Sequence, residues 1–401
     1  MSNGDIAAVR RNRRAAAQAI KGLVAVGLAA TLHSGAAWAG PEFIQTNLVA
    51  DSPTKATARF YDPDLVNPWG MSSSATSPIW VSDNGTGLST LYNGAGVKQG
   101  LVVTIAPPLG GTSAAPDGQV FNAGGAGSAF NVSSGGKTGS SRFIFATEDG
   151  TISGWSPSVD GTHSIIAVDN SAAGNTVYKG LAIGSPSPGV TRLYAANFRS
   201  GQVEVYDQAF NLVGTITDPG VPAGYAPFNV QVLNGQLYVT FALQDAAKHD
   251  DVKGPGNGFL DRFNLDGTGM VRLVSNGPLN SPWGLAIAPA AYGNLANDLL
   301  VGNFGDGTIG AFSSTGSFLG DLLDTKGMPI SIDGLWGLRV GNGGSGGNPN
   351  LLYFTAGLNG EADGLFGTLA APEPGSAIVL LTALGGLVLL RRRGSKRDIA
   401  G

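Results

Sequence analysis

Apolar residues fall along this chain in short runs, each closed by Gly, Asn, Asp or Ser. The pattern is clearest from Ser281 to Leu319. There the runs Trp283–Ile287, Leu299–Gly302, Ile309–Phe312 and Phe318–Leu319 alternate with turn clusters such as Gly305-Asp306-Gly307 and Ser313-Ser314-Thr315-Gly316. Runs of β-formers bounded in this way predict strands joined by tight hairpins. A four-stranded meander cannot bury a core alone, so the stretch predicts one unit of an array.

The pattern recurs. Asn67-Pro68-Trp69-Gly70-Met71 opens one copy, followed by Ile79–Ser82 and Ser89–Tyr92. Ala129-Phe130-Asn131-Val132 opens the next, with Phe143–Ala146 and Thr151–Trp155. Lys179-Gly180-Leu181 leads to Leu193–Ala196 and Val203–Tyr206, and Pro227-Phe228-Asn229-Val230 to Leu237–Phe241 and Phe259–Phe263. Trp283 and Leu335-Trp336-Gly337-Leu338 open the last two, and the final copy continues through Leu351–Thr355 and Gly364–Leu369. Anchors at 69, 130, 179, 228, 283 and 336 lie 61, 49, 49, 55 and 53 residues apart. Four strands at a period near 50 predict an all-β fold, a six-bladed β-propeller. The sixth copy lacks a fourth strand, and the spare N-terminal strand Phe43–Val49 can supply it, closing the ring and removing its open edges. The anchoring Trp, Phe and Gly residues then serve packing on the innermost strands.

Both ends differ from this body. Residues 1–39 combine Arg10, Arg11, Arg13, Arg14 and Lys21 with the apolar Gly22–Leu32 and the small-residue site Ala37-Trp38-Ala39. That order predicts a secretory signal peptide. Residues 372–401 run from Pro372, Glu373 and Pro374 through the apolar Ala377–Leu390 to Arg391, Arg392 and Arg393. The apolar run is short for a full membrane span, and the basic cluster after it predicts a cytoplasmic C-terminus. The propeller is thus expected within 40–371. From residue 40 to 374, 14 Lys and Arg face 26 Asp and Glu, a balance near −12, which argues against a nucleic-acid surface. With no cysteine, disulfides and thiolate metal sites are excluded.

The tail resembles the PEP-CTERM sorting signal of exported bacterial proteins. That resemblance implies export machinery and an exosortase as partners, a transient inner-membrane anchor, and a final place at the cell surface or outside it. Extracellular polysaccharide is then a possible partner, and the acidic residues concentrated on one face suggest a basic protein as another. The repeats resemble NHL-type six-bladed propellers. The body is similar to an uncharacterised bacterial PEP-CTERM-bearing propeller family through Asn67–Gly70, Lys248–Val252, Gly254–Gly258 and Asn303–Gly307.

Candidate chemistry concentrates on the face formed by second-to-third-strand turns and the loops leading into the first strands. Short turns such as Asp83-Asn84-Gly85 and Glu148-Asp149-Gly150 need Asn, Asp and Gly for positive φ alone. The fourth copy replaces its turn with a long insertion, residues 244–258, which carries Asp245, His249, Asp250, Asp251 and Asn257. A long polar loop on a rigid scaffold is the expected ligand-binding element, with Ca²⁺ or another divalent cation as a possible ligand, although its spacing is not that of an EF-hand. Gluconolactonase-type propellers offer an alternative, a metal-dependent hydrolase. Asp333 resembles the Asp of their metal site and Asn131 or Asn229 the Asn, but no Glu stands in a matching loop. The sequence therefore favours an exported binding or matrix-associated module over a catalyst.

Overall fold

The strands of the computed structural model, which describes residues 42–124 and 129–372, gather into six antiparallel sheets arranged as a β-propeller. The innermost strands are Pro68–Ser72, Pro116–Phe121, Tyr178–Ser187, Tyr225–Leu233, Pro282–Ile287 and Leu335–Val340. Each packs beside the next, and the last returns to the first. Five blades contain four strands in simple meander order.

The sixth blade is completed from the other end of the chain. Glu42–Ala50 lies antiparallel to Asp363–Ala370, with Gln45 opposite Leu369 and Ala50 opposite Leu365. The N-terminal strand therefore closes the ring, as the sequence predicts. Phe43 packs on Tyr292 at 4.6 Å, and the Tyr292 hydroxyl donates to the Leu369 carbonyl at 2.9 Å.

One blade opens elsewhere than predicted. The second blade's first strand is Pro116–Phe121, paired with Phe143–Thr147, not the segment around Phe130. Asn131–Ser134 and Lys137–Ser140 form a separate hairpin inserted after it. Phe130, at φ +54°, packs on Phe210 at 5.2 Å. An aromatic followed by alternating residues imitates the anchor pattern, whereas the true anchor, Asp117-Gly118, carries no aromatic side chain.

Interlocking side chains hold neighbouring blades together. Trp80 stacks on Phe143 at 3.8 Å between the first and second blades. Leu300, Ile309, Ile332, Leu335 and Phe354 form one cluster between the fifth and sixth. Burying each such side chain contributes roughly 1.5–3 kcal/mol. Where neighbouring innermost strands approach most closely, five blades leave no room for a side chain. A Cβ at Gly337 would stand 2.6 Å from the Trp69 carbonyl oxygen, and Gly70, Gly118, Gly180 and Gly284 are similarly blocked by the following blade. Asn229 holds the sixth place and donates from Nδ2 to the Trp283 carbonyl at 2.7 Å.

Among the described residues no helix is long and apolar enough to cross a membrane. The predicted signal peptide, 1–39, lies outside the described residues, as does the tail from Glu373 onward, including Pro374 and Arg391–Arg393. Pro372 is exposed.

Candidate functional site

Every innermost strand carries a β-bulge or register shift at the same place, spanning Trp69, Asp117, Lys179, Phe228, Trp283 and Trp336 in turn. A bulge kinks the strand and re-aims a side chain. Here the repeated bulge creates an axial ring of four aromatic residues and two charged ones.

The aromatic members form a plug. Trp336 stacks on Trp69 at 3.5 Å and on Phe304 at 3.7 Å, while Trp283 meets Trp336 edge-on at 5.8 Å. Phe228 and Phe198 complete the cluster. Trp283 Nε1 donates to the Lys179 carbonyl at 2.8 Å, and Trp336 Nε1 to Asn67 Oδ1 at 3.0 Å. Trp69 Nε1 is buried without a partner among the described residues.

Of the two ionisable members, Lys179 starts a polar chain over the plug. Lys179 is 2% exposed, and its ammonium lies 5.1 Å from the Trp69 ring centre. It donates to Glu148 Oε1 and, at 3.1 Å, to Asp250 Oδ1. Glu148 Oε2 accepts from Asn84 at 2.8 Å, and Asn67 Nδ2 donates to Asn84 at 3.2 Å and to Glu361 Oε2 at 3.0 Å. Five blades are thereby joined across the channel mouth. Burial alone would lower the Lys179 pKa, but the Glu148 and Asp250 carboxylates outweigh it and hold the ammonium charged, above its ordinary value. Asp117, fully buried, is pushed well above the usual carboxylate range by that burial, which the Gly118 amide and the Lys179 charge oppose without overcoming.

The 244–258 insertion lies over this ring. Asp245 Oδ1 accepts from the His249 amide at 2.8 Å and the Asp250 amide at 3.3 Å, which shapes the loop tip. His249 Nδ1 donates to Asp250 Oδ1 at 2.9 Å. That bond, assisted by the Lys179 charge against partial burial, holds the Asp250 carboxyl well below its ordinary range; reciprocally it raises His249. Lys253 places its ammonium 3.8 Å from the Phe304 ring centre. Asp251 is half-buried, with one carboxylate oxygen buried and unpartnered, and burial raises its pKa. Asn257 accepts from the Tyr225 hydroxyl at 3.2 Å and donates to the Val252 carbonyl at 2.9 Å, a structural role.

The remaining candidates do not converge. Asn131 lies exposed at the start of the inserted hairpin, and Asn229 is spent on the blade-to-blade bond. Asp333 is exposed and accepts from the Asn359 amide at 2.8 Å. The grouping that does form is Glu148, His249 and Asp250, whose ligand atoms lie within 4.8 Å of one another. Three such donors suit a divalent cation, but the Lys179 ammonium already engages two of them. Sequence reading treated Glu148 as a turn residue and passed over Asp117. The signal was present: Pro116-Asp117-Gly118 repeats the Pro-X-Gly of Pro68-Trp69-Gly70 and Pro282-Trp283-Gly284.

No family model matches the chain. It is 33% identical over 321 residues to "Uncharacterized protein R648" of Acanthamoeba polyphaga mimivirus, covering 78% of this chain and 76% of that protein. It is 35% identical over 326 residues to "Uncharacterized protein L690" of the same virus, covering 78% and 82%. The chain belongs to the family of these mimivirus proteins. This corrects the bacterial PEP-CTERM-bearing propeller family expected from short motifs. Two of those motifs are ones the fold itself demands: Asn67–Gly70 leads into an innermost strand, and Asn303–Gly307 is a hairpin turn. Among solved structures, the chain resembles selenomethionine-substituted virginiamycin B lyase from Staphylococcus aureus, with 13% identity and a TM-score of 0.48 over 82% of this chain and 99% of that one. No site residue is carried over from that family or from that structure.

Proposed function

We propose that the protein is an exported binding module that takes a cationic partner on the face carrying the 244–258 loop. The observation behind this reading is the position of Lys179. Its ammonium lies between Glu148 and Asp250, so the groups best placed to hold a metal are occupied in tying the loop to the ring. Asp306 and Asp333 remain exposed around the mouth, on a body whose overall balance is acidic. Such a field attracts positive partners and speeds their association. Export rests on the basic stretch, apolar run and small-residue site of the first 39 residues.

Calorimetry of the full chain with an oligolysine peptide tests the ligand class. Saturable binding is expected at low salt, severalfold weaker in the double variant Asp306→Asn, Asp333→Asn, and weaker again as salt screens the charges. Absence of binding at low salt removes the reading. A metal-dependent hydrolase is the second reading, favoured by the Glu148, His249 and Asp250 grouping. It requires a divalent cation to displace the Lys179 ammonium. Lactone turnover that needs added Mn²⁺, Zn²⁺ or Ca²⁺ and disappears in His249→Ala would establish it.

A further inference from the structure

Beneath the plug the channel continues as a cavity of about 220 Å³. That is roughly the liquid volume of seven waters. Among the residues lining it are Ser72, Val120, Ala182, Gln231 and Arg339, two residues beyond the close-approach position on their strands, together with Trp283. In this layer blades one to three contribute small or apolar side chains, while blades four and six contribute Gln231 and Arg339.

Arg339 is partly buried and is partnered differently from the buried Lys179 and the partly buried Arg272. Lys179 has two carboxylates, and Arg272 bonds Asp218 and Asp261. Arg339 pairs with no carboxylate among the described residues. One terminal nitrogen donates to Ser73 Oγ at 2.6 Å, and its Nε is buried without a partner. Burial, unopposed by any neighbouring anion, pushes its pKa down to about 10, so the guanidinium remains charged at neutral pH. Placing a charge out of water without a counter-charge is costly. A guanidinium also offers a planar fork of donors matched to a carboxylate. The Gln231 side chain, two blades away, makes no bond within the described protein and supplies both a donor and an acceptor to the same cavity.

We propose that this cavity binds a small organic carboxylate, its carboxyl group on Arg339 and a hydroxyl or carbonyl group on Gln231. The site is separate from the loop-bearing face and does not depend on the function proposed for it. Acetate, glycolate and gluconate titrated into the full chain, with glucose as the uncharged control, test the proposal by calorimetry and thermal melting. At least one of the acids is expected to bind saturably and to raise the melting temperature by linkage, while glucose does neither. Arg339→Met should weaken that binding at least tenfold while melting at or above the unliganded wild type, because an uncompensated charge is removed. Gln231→Leu should weaken glycolate or gluconate severalfold and leave acetate unchanged; it decides the matter if Arg339→Met fails to fold. Asp250→Asn, on the opposite face, should leave the acids' affinity unaltered. No saturable binding by any of the three acids, or wild-type affinity in both cavity variants, overturns the proposal.

Discussion

The six axial side chains occupy one place in the repeat yet divide into two sectors. Trp69, Phe228, Trp283 and Trp336 fill space, and their rings pack mainly on one another and on Phe304. Asp117 and Lys179, side by side in blades two and three, place ionisable groups beside that plug. The aromatic sector is held mainly by shape and area, with two indole N–H groups bonded outside it. A buried ammonium requires partners, and Lys179 draws them from a turn in the second blade and from the fourth blade's insertion. The axial position that does least for packing is thus the one that organises the channel mouth.

The largest expected effect comes from breaking the aromatic sector. Trp336→Ala empties the space between two stacked rings and should cost about 3–5 kcal/mol in denaturant unfolding. Breaking the charged sector should cost less and act more locally. Lys179→Met strands the Glu148 and Asp250 carboxylates, a loss of about 1–3 kcal/mol, because Asp250 remains open to water. Adding Glu148→Gln should restore part of that loss, and a double-mutant cycle reads the coupling. Equal costs for Trp336→Ala and Lys179→Met would erase the distinction between sectors.

Titration sharpens the comparison further. The folded pKa of Asp250 is depressed, so its contribution is complete above the unfolded value near 3.9 and is lost as pH falls through the lower folded value. His249 is raised, so its contribution is complete below about 6.5 and fades as pH rises through the folded value. The loop should therefore be held best between about pH 4 and 6.5. An NMR titration of His249 should show a pKa above its ordinary value that returns toward it in Asp250→Asn. The smallest effect belongs to Asp117. Its raised folded pKa means that stability falls as pH rises past the unfolded value, so Asp117→Asn should gain on the wild type in melts at pH 8 relative to pH 5.

The ring architecture was legible because strand period and turn chemistry are local signals repeated along the chain. Trp69, Trp283 and Trp336 announced their blades, and Phe43–Val49 announced the closing strand. The second blade was misplaced because sequence similarity among anchors rests on the aromatic side chain, which Asp117 lacks, while its glycine and its bulge are backbone features. The 244–258 loop was visible as an insertion, but its partners were not. Lys179 lies 71 residues before Asp250 and 31 after Glu148, and the packing of three consecutive blades brings them together. Arg339 was invisible for a similar reason. Its partial burial and its lack of a carboxylate partner depend on how the blades pack around it.

The most direct test is amide exchange of residues 244–258 at pH 6 in the full-length wild type and in Lys179→Met. Faster exchange confined to that loop, with the innermost strands unchanged, is the predicted result. Wild-type protection of the loop in Lys179→Met would contradict the claim that the charged axial sector holds it in place.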